Sequence, residues 1–486
     1  MTSVLQKLDI KRIFFILLGL GLFFIVYYSP AWPDAIDPQG KHFILSKEGK
    51  GALAVFLMAS TWWIFEVVPI GVTGIMIGVM QTMFLIRSAN DAFKDFMDPS
   101  VLFILASVVI GMVFTKTGLT RRMAYKMLAI VGEKTSMIML GCFVVTGALT
   151  LIMAHTAVAA TIYPLLLSIY ALYSEDGEPS KFGKALFMGM AYVAGAGSII
   201  TLLGAARAAV AIGFFKDMCG KDIGFFELSY YMLPVGVIMI ALLWVFFMVV
   251  LKPEKKTIPG LREKAKRLSA ELGPLTRNEI VASIIIFSCI LVLALRSFVP
   301  ILKPIDKTAI ILVSTILFFI TNILNIEDLE AIPWNIILLF AGAMSIGFCL
   351  WKTEAANWLA VNWLVMFQAA PPFVFIMSIA FFVMIMTNFI MNVAAIAISL
   401  PVALVIAPYL GVAPEVILYA SLVTAGMPFL LLIGAAPNAI AYNSKMFTPG
   451  EFLKYGIPAS ILLMIVVAFA VKILWPLMGM PVIIGN

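Results

Sequence analysis

Residues 135–173 read TSMIMLGCFVVTGALTLIMAHTAVAATIYPLLLSIYALY, with no Asp, Glu, Lys or Arg and a single histidine, His155. Drawn out as one helix at 1.5 Å per residue, this run is about 58 Å long, nearly twice the roughly 30 Å hydrocarbon core of a bilayer. It must fold back, and the polar pair His155-Thr156 near its middle marks where. Non-helical backbone at membrane depth is tolerated only where protein or a cavity supplies hydrogen-bond partners. The run is therefore expected to form a re-entrant helical hairpin over about 135–173.

A second stretch behaves the same way. Between Glu354 and Glu415 no formal charge occurs, and Pro371-Pro372 divides the interval. A short amphipathic segment precedes the prolines. The apolar run that follows, about 373–410, is again too long for one crossing and carries Thr387-Asn388 and Asn392 near its middle. A second hairpin is expected there.

Outward from the hairpins, the rest of the chain is equally lipophilic. It is 63% apolar and 12% charged, where an ordinary soluble domain has about 25% charged residues. Single crossings are expected at roughly 12–29, 49–66, 69–86, 98–118, 186–215, 229–251, 279–298, 305–325, 334–352, 415–444 and 455–478. The fold class is an all-α polytopic membrane protein. Lys7, Lys11 and Arg12 precede the first apolar run, but bulky Tyr27-Tyr28-Ser29-Pro30 follows it in place of a small-residue cleavage site, so that run is expected to stay as a span.

The net charge of +7 is concentrated in 252–277, which has eight Lys/Arg against three acidic residues. The positive-inside rule makes this loop cytoplasmic. Counting spans from it places the N-terminus in the cytoplasm and the C-terminus outside, in the cell (inner) membrane. The basic residues lie along no soluble face, so no nucleic-acid partner is expected. Cys142, Cys219, Cys289 and Cys349 lack metal or disulfide spacing and read as packing residues. There is no Walker motif, dinucleotide fingerprint or zinc pattern, which argues against a cofactor, an ATP-driven pump or an enzyme.

Three blocks recur in order. Val101 to Gly111 with Lys116-Thr117 matches Ile337 to Gly347 with Lys352-Thr353; Ala154-His155-Thr156-Ala157 before Pro164 matches Met391-Asn392-Val393-Ala394 before Pro401; Gly204-Ala205-Ala206-Arg207-Ala208 matches Gly434-Ala435-Ala436-Pro437-Asn438. The span count gives the two copies opposite directions across the membrane. Inverted repeats with discontinuous helices meeting near the midplane are the architecture of secondary transporters.

Arg207 is the only formal charge between Ala185 and Phe215, and it follows Gly195, Gly197 and Gly204, which weaken helix continuity. It either reaches the interface or a structural carboxylate, or stands as a cation facing an anionic substrate or replacing a coupling cation. His155 at the fold-back can donate to a carboxylate or titrate near neutral pH. Thr387, Asn392 and Asn438 are neutral groups able to ligate a substrate or cation, or to bond neighbouring helices. Glu66 is expected at a helix end and Glu133-Lys134 at a hairpin base.

At these blocks the chain resembles the divalent anion:sodium symporter family of dicarboxylate, citrate and sulfate transporters. Members carry Ser-Asn-Thr at both hairpin tips, where this chain has Ala154-His155-Thr156 and Met391-Asn392-Val393. Their Gly-Thr-Pro-Pro-Asn-like breaks correspond here to Gly204-Ala205-Ala206-Arg207-Ala208 and Gly434-Ala435-Ala436-Pro437-Asn438. The resemblance implies a homodimer moving by an elevator mechanism. It implies scaffold helices at 1–97; a transport half at 98–228; scaffold helices at 229–333 with the basic loop 252–278; a second transport half at 334–454; and a C-terminal helix at 455–486. It implies a dicarboxylate held by His155, Thr156, Arg207, Met391, Asn392, Val393, Ala435, Ala436, Pro437 and Asn438. Fixed positive charge where the family gathers oxygens around sodium repels a cation, so sodium coupling at the first site is expected to be lost. Thr387, Asn392 and Gly434 remain as a possible second sodium site.

Built-in charge also bears on the cycle. An empty cationic site resists crossing hydrocarbon, whereas a site neutralised by a dianion can move. Sodium-independent exchange of C4/C5 dicarboxylates such as malate, succinate or 2-oxoglutarate is the leading expectation, with sodium- or proton-coupled symport of a related anion as the alternative.

Overall fold

A bilayer core offers no water to backbone N–H and C=O groups, so long apolar runs must become helices. The computed structural model describes residues 10–36, 41–174, 178–367, 371–389 and 391–484; Lys7 lies outside them. Almost all regular structure is helical, and the one strand pair among the described residues joins Ala35–Ile36 to His42–Phe43. Continuous spans run Ile10–Tyr28, Lys47–Ile64, Ile70–Met83, Pro99–Thr117, Phe225–Val250, Arg277–Leu295, Lys307–Ile320, Trp334–Lys352 and Pro449–Phe469. Glu66 follows the end of one of these with a left-handed φ of 44°.

The two over-long runs fold back as expected. The first gives Thr135–Leu149 and His155–Tyr173, the second Pro372–Phe389 and Asn392–Tyr409. The two expected broken spans are also interrupted, the first between Lys181–Gly197 and Ala206–Cys219, the second between Pro414–Ala425 and Ala436–Tyr442. The repeat extends to backbone angles. Ala205 and Ala435, which precede the second pieces of the broken helices, have φ/ψ of −160°/136° and −154°/149°. Ala154 and Met391, at the hairpin tips, have −56°/136° and −60°/144°.

Several features differ from the sequence reading. The basic loop 252–278 contains a helix, Leu261–Glu271, and the span ending at Thr117 continues after Gly118 as an amphipathic helix, Leu119–Val131. Arg122, on that amphipathic helix, is buried: its Nε and Nη2 donate to Glu279 at 2.7 and 3.0 Å, and Nη1 donates to the Gly273 carbonyl at 2.8 Å. A buried carboxylate explains this, because neither charge can leave water without the other. Cys142, Cys289 and Cys349 are buried, but Cys219 is exposed and is no packing residue.

Trp334–Lys352, expected to open the second transport half, is tied to Ile70–Met83 of the N-terminal group. A Cβ added at Gly342 would lie 2.3 Å from the Gly74 Cα, and one added at Gly74 would lie 2.3 Å from the Leu338 carbonyl oxygen. Across the same seam Gln81 Nε2 donates to Ser345 Oγ at 2.9 Å, and the Gly71 N–H donates to Asn335 Oδ1 at 2.8 Å.

The base of the first hairpin is held by the basic segment. The Thr135 N–H donates to the Lys256 carbonyl at 3.0 Å, and the Gly260 N–H donates to Glu133 Oε1 at 2.9 Å. Glu254 accepts from the Lys181 and Phe182 N–H groups at 2.6 and 3.3 Å and from the Tyr173 hydroxyl at 2.8 Å. Partial burial opposes ionisation of Glu254, but these donors together outweigh it and hold the carboxyl below its ordinary range. A lowered carboxyl contributes stability above the unfolded value of about 4.3 and loses it as pH falls through the folded value. Glu254→Gln should therefore lower the melting temperature at pH 7, and the gap to the parent should narrow below about pH 4, read by thermal unfolding of purified protein.

Candidate functional site

Each hairpin tip docks on the break of its own half. The His155 N–H donates to the Gly204 carbonyl at 3.1 Å, and Thr201 Oγ1 donates to the Leu151 carbonyl at 2.7 Å. A Cβ at Gly204 would lie 2.5 Å from the Thr150 carbonyl oxygen, and one at Gly434 would lie 3.0 Å from that of Thr387. Thr150 and Thr387 thus play one part in the two halves. Thr150 escaped the sequence reading, although its spacing to Thr387 equals that of His155 to Asn392.

In the second half Asn388 fastens hairpin to break, accepting from the Leu430 and Leu431 N–H groups at 2.8 and 3.2 Å while donating to the Met384 carbonyl at 2.7 Å. Asn438 is buried and donates to the Pro428 and Leu431 carbonyls at 2.8 and 3.1 Å. Those bonds satisfy an irregular backbone that has no helical partners. Asn438 and its neighbour Pro437, both expected to touch substrate, do not line the cavity described next; Asn438 shapes the break instead.

His155, Thr156, Arg207, Met391, Asn392, Val393, Ala435 and Ala436 meet around one cavity of about 140 Å³. Leu203, Ala205, Ile104, Ser107, Val108, Ile336, Phe340 and further residues of the tips and breaks complete its wall. It is sized for a small organic ion. The helices beginning at His155, Ala206, Asn392 and Ala436 all start at this wall. The first N–H groups of a helix lack intrahelical partners and carry partial positive charge, which favours an anion.

Arg207 supplies the formal charge. Its side chain is 1% exposed, and Nη2 donates to Ser198 Oγ at 2.8 Å. Ser198 in turn donates to the Gly195 carbonyl at 2.7 Å, so the guanidinium is anchored to the break that precedes its own helix. A Cβ on Gly426, which follows Pro414–Ala425, would fall 2.6 Å from Nη2, placing the guanidinium between the two breaks. Nη1 has no hydrogen-bond partner, and among the described residues no carboxylate forms an ion pair with Arg207. Nδ1 of His155 is likewise buried and unpartnered. Unmet polar groups of this kind are costly unless a ligand completes them.

The second half holds an oxygen cluster. Thr387 Oγ1 lies 2.9 Å from Asn392 Oδ1 and 3.0 Å from the Ala425 carbonyl oxygen. With the amide oxygen of Asn392 turned toward the hydroxyl, as here, three oxygens share one hydrogen, an arrangement a small hard cation can satisfy. Gly434 contributes close approach, since its missing Cβ leaves room for the Thr387 carbonyl. Among the described residues no cluster of three His, Cys, Asp or Glu is placed to hold a metal ion.

Two fold-back hairpins and two interrupted helices closing on one cavity, whose largely apolar wall carries Arg207, His155 and Asn392, define a secondary transporter with discontinuous helices. The chain belongs to the family described as the sodium:sulfate symporter transmembrane region, whose model matches residues 36–481. Among curated relatives, a sodium-dependent dicarboxylate transporter SdcS of Staphylococcus saprophyticus is 24% identical over 455 residues, 89% of this chain and 87% of that protein. A Staphylococcus aureus protein of the same name is 24% identical over 453 residues, 88% of this chain and 86% of its own. Among solved structures, the Alcanivorax borkumensis YdaH transporter superposes with a TM-score of 0.59 at 12% identity, covering 97% of this chain and 98% of that one. Neisseria gonorrhoeae MtrF gives 0.58 at 14% identity, covering 96% and 94%. At these identities the superpositions speak to the fold alone.

Proposed function

We propose that this protein exchanges small organic anions across the cell membrane, with C4 and C5 dicarboxylates such as malate, succinate and 2-oxoglutarate as the first class to test. The observation that carries this reading is Arg207, a buried cation that lines a cavity where four helices begin and whose Nη1 has no hydrogen-bond partner. One carboxylate of such an anion completes its hydrogen bonds and cancels its charge. The unloaded site keeps an uncompensated cation, whose passage through hydrocarbon costs several kcal/mol, on the order of 3 or more. Return empty is therefore slow and return loaded is fast, which is obligatory exchange. The dicarboxylate class comes from the names of the two staphylococcal relatives. An elevator-like movement of hairpins and breaks against the remaining helices, in a homodimer, belongs to the same proposal. So does an orientation with the basic segment 252–278 and the N-terminus in the cytoplasm.

Sodium-coupled symport is the second reading. The oxygens around Thr387, Asn392 and Ala425 favour it, as do the names of the relatives. One experiment separates the two: labelled succinate uptake into proteoliposomes free of sodium and preloaded with unlabelled dicarboxylate. Exchange predicts uptake that depends on the internal anion and is unchanged by sodium. Uptake only under an inward sodium gradient rejects it in favour of symport.

A further inference from the structure

The two halves of the cavity wall are chemically unequal. The first half brings Arg207, His155, Thr156 and Ser107 beside Ile104, Val108 and Leu203, and Arg207 Nη1 and His155 Nδ1 have no partner. The second half brings Ile336, Phe340, Met391 and Val393, and its one polar side chain there, Asn392, already engages Thr387 through its amide oxygen. Pro437 also removes a backbone N–H from the first turn of Ala436–Tyr442, a donor that the matching position, Arg207, keeps in the first half. Charge bookkeeping points the same way. Arg207 is the one fixed charge among the residues lining the cavity, so one negative charge neutralises it and a second is left beside apolar side chains.

Resting on the carrier reading above, we propose that the cavity selects anions with one charged end and one apolar end. The carboxylate is held by Arg207, His155 and Thr156, and the hydrocarbon end lies against Phe340, Met391 and Val393. A dicarboxylate enters with one carboxylate at Arg207 and has to desolvate the other, so it binds more weakly than a monocarboxylate of equal length.

The test is a ladder of linear monocarboxylates from propanoate to hexanoate, set beside succinate and glutarate. Dissociation constants are read from thermal stabilisation of the purified full chain at pH 7 without sodium. The expected result is about fourfold tighter binding per added methylene, the value of a buried CH₂ group, with butanoate tighter than succinate and pentanoate tighter than glutarate. Arg207→Ala should lose the whole ladder. Met391→Ser combined with Val393→Thr should move the preference toward succinate by at least about tenfold, because it adds hydroxyls where the distal carboxylate lies. Binding that is flat with chain length, or dicarboxylates tighter than their monocarboxylate partners, overturns this proposal and leaves the carrier reading standing. Failure of both classes to bind overturns this proposal and the carrier reading together.

Discussion

Arg207→Ala should abolish anion exchange while raising thermal stability. The guanidinium is 1% exposed, has one side-chain acceptor in Ser198 and leaves Nη1 unmet. Removing an uncompensated buried cation relieves the folded state; buried ion pairs replaced by apolar side chains of similar volume gain about 1–4 kcal/mol, and the cavity that an alanine leaves offsets part of such a gain. Binding suffers in the opposite sense, since losing one partner of a buried, hydrogen-bonded charge pair costs about 2–5 kcal/mol. Exchange should fall at least about thirtyfold on that scale. Arg207→Lys keeps the charge but not the planar fork, so it should retain weak exchange with a raised KM. Counterflow and melting temperature measured on the same preparation decide the matter. An alanine variant that still exchanges anions removes Arg207 from the mechanism, and one that merely unfolds makes Arg207 a structural residue.

Gly342→Val should prevent stable folding. Trp334–Lys352 crosses Ile70–Met83 with backbone against backbone, and a Cβ at position 342 would sit 2.3 Å from the Gly74 Cα. No side chain there can rotate away, so the helices must separate and the Gln81–Ser345 and Gly71–Asn335 hydrogen bonds go with them. Overpacking typically costs about 1–3 kcal/mol, and here two hydrogen bonds of about 1 kcal/mol each are added. Gly342→Ala should lower the melting temperature and Gly342→Val should yield little monodisperse protein in size-exclusion chromatography. Gly21→Ala is the control: position 21 has nothing within 4 Å of an added Cβ. If Gly342→Val behaves like that control, the crossing does not hold the helices together.

The hairpins and breaks were legible because their signals are local. An apolar run longer than a bilayer is thick has to turn, and a lone arginine after three glycines marks where a helix stops. Even the pairing of His155 with Asn392 and of Gly204 with Gly434 shows as repeated spacing. The same evidence of spacing held Thr150 opposite Thr387, but a threonine in an apolar helix carries no signal until its carbonyl is seen against Gly204.

What the linear order left open was every contact made across long separations. Asn438 and Asn392 look alike in sequence, yet one turns to the carbonyls of its own break and the other reaches the cavity, because an amide follows whichever acceptors the packed backbone leaves unmet. Gly74 and Gly342 are ordinary glycines until two helices cross at them, and Arg122 is a surface charge until Glu279 arrives. Composition and run length determined that this chain is a membrane-embedded bundle with two fold-backs and a cation in its first half. Tertiary structure alone decided that the guanidinium lies between the breaks, against Gly426. The direction of a side chain depends on neighbours brought together by folding, and periodicity along the chain does not encode them.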